Sequence, residues 1–69
     1  MMDKDLLYYE MKKKKLSPES LCKKIGISLS AFYRKCKGTS EFTHSEIQAI
    51  VDALQLDSPV PIFFSPKVS

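Results

Sequence analysis

The side chains with the most chemical potential here are cations, and they crowd into one stretch. Between Met11 and Gly38 lie Lys12, Lys13, Lys14, Lys15, Lys23, Lys24, Arg34, Lys35 and Lys37 against the single acid Glu19, a local charge of +8. The rest of the chain sets Lys4 and Lys67 against Asp3, Asp5, Glu10, Glu41, Glu46, Asp52 and Asp57, so a formal net charge of +3 hides an asymmetric distribution. A segment this basic attracts a polyanion, although lysine runs also serve as plain solvated helix faces. Catalytic chemistry finds little material. With one histidine, His44, and two isolated glycines, Gly26 and Gly38, there is neither an acid–base pair nor a phosphate-cradling loop. An enzyme, a cofactor and a small-molecule substrate are therefore not expected. Cys22 and Cys36 with one histidine cannot supply four-ligand zinc spacing. They read as reduced thiols behaving as small apolar side chains, and no metal site is expected.

The elements that must position these cations are short. Sixty-nine residues make one small domain whose core has to be tight, and 43% apolar with 28% charged residues suits a globular chain. No window nears the roughly 18 apolar residues of a membrane span. The opening Met1-Met2-Asp3-Lys4-Asp5 lacks the apolar stretch of a secretory signal, so a cytoplasmic protein is expected.

Leu7 and Met11 stand four apart, with Leu6 and Tyr9 widening the stripe, which predicts a first amphipathic helix over about 5–14. Ser17-Pro18 opens a second over about 18–25: serine caps, and proline sits in the first turn, where an N–H is unpaired anyway. Leu21, Cys22 and Ile25 form its buried face, and Gly26 stops it in a left-handed conformation. Ser28 caps a third helix over about 29–37, with Phe32 and Cys36 inward and Gly38 at its end. Thr43-His44-Ser45-Glu46 is a capping box opening a fourth helix over about 44–55, carried by Ile47, Ile50, Val51 and Leu54, with Phe42 as a staple before it. Pro59 and Pro61 confine 58–69 to a short turn capped by Ser58 and ending near Phe64, after which Pro66–Ser69 extends away. The expectation is an all-α bundle of four to five helices, with 1–57 as its main body and 58–69 part of the same domain.

Two short helices joined by Gly26-Ile27-Ser28 are a helix-turn-helix unit. The run Leu16-Ser17-Pro18-Glu19-Ser20-Leu21-Cys22-Lys23-Lys24-Ile25-Gly26-Ile27-Ser28 resembles the Cro/CI-type helix-turn-helix family of phage repressors and bacterial regulators. Ser30-Ala31-Phe32-Tyr33-Arg34-Lys35-Cys36-Lys37-Gly38, followed by Glu41-Phe42-Thr43 and Glu46-Ile47, is similar to small phage-encoded members reading S-x-F-Y-R-K-x-x-G and then F-T-x-x-E-I. Ile62-Phe63-Phe64 with Lys67-Val68-Ser69 is similar to Cro-like phage proteins of Gram-positive hosts. The resemblance spans essentially the whole chain and implies the lambda-repressor-like fold, with helices 2 and 3 as the helix-turn-helix. This chain departs from the family in three places. Pro18 stands where a phosphate-contacting glutamine is common, Cys22 replaces an alanine, and Lys15 sits where glycine is usual.

The resemblance implies a sequence-specific regulator of transcription, a Cro- or repressor-type protein of a phage or prophage, acting in the cytoplasm of a bacterial host and reading a double-stranded DNA operator. In this family the N-terminal part of the third helix enters the major groove, which makes Leu29, Ser30, Tyr33 and Arg34 the base-readers. Arg34 suits a bidentate contact to guanine. Ser17, Ser20, Ser28, Lys37, Thr39, Ser40 and Thr43 are the expected phosphate contacts, with Lys12 to Lys15 adding longer-range attraction. One such unit covers only a few base pairs, so a homodimer, formed in solution or only on DNA, is expected on half-sites about 34 Å apart. Val60, Ile62, Phe63 and Phe64 are its candidate surface. The alternative is a protein-interaction module, or an antitoxin-type partner-binding protein, that uses the Phe-rich C-terminal segment.

Overall fold

The computed structural model describes residues 2–64, so the expectation for Pro66–Ser69 lies outside the described residues. Five helices follow one another with no strand among the described residues: α1 (Lys4–Lys13), α2 (Pro18–Ile25), α3 (Leu29–Lys37), α4 (His44–Leu54) and α5 (Val60–Phe63). The first four starts are each a side chain meeting an unpaired amide. Ser17 accepts from the Ser20 N–H, Ser28 from Ala31 and Asp3 from Leu6, while Thr43 and Glu46 make a reciprocal capping box. Ser58 does not cap α5; its hydroxyl accepts from the Val60 N–H at 3.1 Å, and Pro59 occupies the cap position.

The stops depend on left-handed backbone. Gly26 (φ 79°) and Gly38 (φ 92°) end α2 and α3. A Cβ at either would meet nothing within 4 Å, so glycine is needed there for its conformation and not for space. The ends of α1 and α4 use the same geometry without glycine. Lys15 takes φ 58° and Gln55 φ 55°, letting Leu16 donate to the Met11 carbonyl and Leu56 to that of Val51.

α2 packs on α3 and α4, and α5 packs on α1. The core gathers Leu7 and Met11 of α1, Leu21 and Cys22 of α2, Phe32 of α3, Ile50 and Leu54 of α4, and Ile62 and Phe63 of α5. Phe32 lies at its centre, fully buried, with Tyr8, Tyr33 and Phe42 edge-on to it at centroid distances of 6.4, 5.7 and 6.1 Å. Phe42 in turn meets Phe63 edge-on at 5.5 Å. Tyr8 is therefore the inward member of the Tyr8-Tyr9 pair, and Tyr9, expected on the apolar stripe, is exposed instead. Its ring carries the Lys13 ammonium 5.2 Å from the centroid, so α1 turns its apolar face slightly differently from the periodicity.

Candidate nucleic-acid interface

Gly26 lets α2 and α3 be joined by only three residues, Gly26 to Ser28, and the Ile27 N–H donates to the Cys22 carbonyl at 3.2 Å. Cys22 itself is buried, and its Sγ lies 3.8 Å from the Ser28 carbonyl. A larger side chain at 22 would push the turn off α2.

α3 divides cleanly. Phe32 is buried and Cys36 half-buried against the core, while Ser30, Tyr33, Arg34 and Lys37 are exposed. Those four positions fall at i, i+3, i+4 and i+7, one stripe of a helix. No acidic residue lies on α3. Leu29 stands apart from the other expected base-readers: it is half-buried and packs against the core cluster. Tyr33 is 42% exposed, its ring held against Phe32, so its hydroxyl end projects from a fixed base.

The residues expected to touch phosphate flank this stripe at helix ends. Ser17, Ser20, Ser28, Lys37, Thr39 and Thr43 are exposed, and Ser40 is half-buried. Capping uses a hydroxyl lone pair and leaves the O–H to donate elsewhere. Ser28 caps α3 with its oxygen, so its proton stays available to an anion. The Ser17 hydroxyl donates to Ser20 Oγ at 3.1 Å, which passes the outward donor role to Ser20. Lys12, Lys13, Lys14 and Lys15, just ahead of α2, are all exposed.

These features, a glycine turn between two short helices and an exposed acid-free stripe on the second, are those of a DNA-binding helix-turn-helix. A family model for the Cro/C1-type HTH DNA-binding domain matches residues 7–59. The chain belongs to that family. No curated protein and no solved structure matches it. Membership makes this a DNA-binding domain of a transcription regulator, and the basic segment of the chain spans α2, α3 and the turn before them.

Other charged and polar groups have structural duties. Lys35 Nζ lies 2.6 Å from Glu46 Oε1, which also accepts the Thr43 N–H at 2.9 Å. Lys35 foremost, and then that N–H, hold the Glu46 carboxyl below its ordinary range. Sequence reasoning explained Glu46 by the capping box alone and missed the pair. Opposite charges eleven positions apart carry no periodic signal. Burial raises the thiols of Cys22 and Cys36, and burial with the neighbouring Cys36 pushes the Tyr8 phenol up to about 12, so all three are neutral at physiological pH. Among the described residues no group of three or more histidine, cysteine, aspartate or glutamate side chains is placed to hold a metal, and no helix is long and apolar enough to cross a membrane.

The C-terminal candidates separate. Ile62 and Phe63, expected on a dimer surface, are 2% and 6% exposed and belong to the chain's own core. The cause is a tether: the Asp3 N–H donates to the Ile62 carbonyl at 2.6 Å and holds α5 against α1. Val60 and Phe64 face outward, 52% and 53% exposed.

Proposed function

We propose that the protein is a sequence-specific double-stranded-DNA-binding regulator of the Cro or repressor kind, encoded by a phage or prophage, which reads an operator with α3 in the major groove of a bacterial host's DNA. The observation that carries this reading is the exposed stripe Ser30, Tyr33, Arg34 and Lys37 on a helix without acids. Arg34 is the reader of guanine through its fork of donors, Ser30 and Tyr33 read neighbouring base edges, and the half-buried Leu29 supplies at most an apolar edge near the turn. Ser20, Ser28, Lys37, Thr39 and Thr43 hold phosphates, with Ser17 placing Ser20, and Ser40 sits at the margin of that set.

The described residues measure 32 × 25 × 19 Å, enough for about one half-site on a duplex whose helical repeat is about 34 Å. Two copies related by a two-fold axis then read a palindrome, meeting through the outward Val60 and Phe64.

Selection of bound sequences from a random duplex pool tests the reading directly. A palindromic consensus is expected, bound with strong salt dependence. Arg34→Ala is expected to lose about 1–3 kcal/mol of discrimination at one base pair per half-site. Binding that ignores salt, or that Arg34→Ala leaves untouched, would reject it.

A further inference from the structure

The last turn of α3 carries three basic residues, Arg34, Lys35 and Lys37, in unlike surroundings. Arg34 and Lys37 are exposed. The Lys35 side chain keeps only 15% of its accessible surface, and its ammonium pairs with Glu46 at 2.6 Å. That carboxylate oxygen also accepts the Thr43 N–H, while Thr43 Oγ1 accepts the Glu46 N–H at 3.1 Å. The same ammonium stands 5.7 Å from the centroid of Phe42, the ring that meets both Phe32 of α3 and Phe63 of α5 edge-on. One charge pair and one aromatic ring thus tie the end of α3 to the start of α4.

We propose that Lys35 is a positioning residue of the DNA interface and not a DNA ligand: through Glu46 it fixes the last turn of α3 against α4 and so sets the angle at which Ser30, Tyr33 and Arg34 meet the groove. This rests on the reading of α3 as the helix that contacts bases. Turning Lys35 toward a phosphate would leave the Glu46 carboxylate, itself 17% exposed, without its partner, a costly arrangement for a largely desolvated charge. Arg34 and Lys37 already face outward and need no such exchange. A loosened α3 loses base contacts, which demand fixed geometry, before it loses phosphate contacts made by long flexible side chains.

The test uses the whole chain and two duplexes, one selected from the random pool and one of scrambled sequence, titrated at several salt concentrations. Lys35→Met is expected to weaken binding to the selected duplex roughly tenfold, in the range of a lost pairwise coupling. Affinity for the scrambled duplex and the salt slope should stay at their parental values, and Lys35→Arg should restore most of the loss. Equal weakening on both duplexes, with a slope flatter by about 0.9, would mark a lost phosphate contact and overturn the proposal. Unchanged affinity for the selected duplex would overturn it as well. Where circular dichroism shows Lys35→Met unfolded, Glu46→Gln decides, since it keeps an acceptor for the Thr43 N–H and removes the charge facing Lys35. The same selective loss supports the proposal, and parental affinity sinks it. Arg34→Ala separates the two levels. Should that variant bind like the parent, the reading of α3 fails and this inference falls with it; a sensitive Arg34 beside an insensitive Lys35 removes the inference alone.

Discussion

Lys15 and Gln55 hold the same left-handed conformation, φ 58° and 55°, that Gly26 and Gly38 supply without strain. A side chain there costs about 1 kcal/mol relative to glycine. Lys15→Gly and Gln55→Gly are each expected to raise the unfolding free energy measured in urea by a comparable amount, while only Lys15→Gly removes a positive charge beside α2 and weakens DNA binding. Equal destabilisation by both would show that the two side chains make contacts outweighing the strain. At Lys15 the departure from the family's usual glycine was visible in the sequence; at Gln55 nothing marked it. The cysteines follow a similar logic. Burial raises both thiols and leaves little thiolate, so alkylation at pH 8 should run much slower in the native protein than in urea, with buried Cys22 slower than half-buried Cys36. Rapid native labelling of Cys22 would contradict its place under the Ser28 turn. Inward and outward positions were legible where spacing was strict, as at Phe32, Cys36 and the Arg34 stripe. They were not legible for Tyr8 against Tyr9, because adjacent aromatics differ by only 100° on a helix and packing on Phe32 decides between them.

Among the elements, α4 shows how far a local signal reaches. Thr43-His44-Ser45-Glu46 announced the start of the helix from residue types alone, and the two reciprocal hydrogen bonds are present. The second duty of Glu46, pairing with Lys35, was hidden because it needs the tertiary crossing of α3 and α4. That duty gives stability a pH dependence with a definite sign. The folded carboxyl titrates below its ordinary value of 4.5, chiefly because Lys35 hydrogen-bonds to the charged form. Its contribution is therefore complete above the unfolded value and disappears as pH falls through the lower folded one. Urea unfolding of the parent and of Glu46→Gln should differ most near neutral pH, and the gap should close in acid below about pH 4. A gap that persists unchanged to low pH would show that shape, not charge, carries the interaction. Thr43→Ala removes the other half of the box and should cost about 1 kcal/mol near neutral pH.

At the scale of the molecule, the short C-terminal turn divides its apolar residues between two tasks that sequence could not separate. Val60, Ile62, Phe63 and Phe64 lie within five positions, too close for a helical stripe to sort, and the Asp3–Ile62 backbone bond that orients them joins opposite ends of the chain. With Ile62 and Phe63 sealed into the core and Val60 and Phe64 outside, substitutions on the two sides should part company. Ile62→Ala opens a cavity beside α1 and is expected to cost about 2–5 kcal/mol of stability. Phe64→Ser should change stability by less than about 0.5 kcal/mol, as exposed sites do. Its effect belongs to pairing: if two copies meet through Val60 and Phe64, Phe64→Ser lowers affinity for a duplex holding both half-sites and lessens cooperativity, while binding to one isolated half-site is untouched. Titrating both duplexes with both proteins reads the four affinities. Equal losses on the single and double sites would place Phe64 in contact with DNA or in the fold of the protomer, and parental behaviour on both would leave the dimer to some other surface.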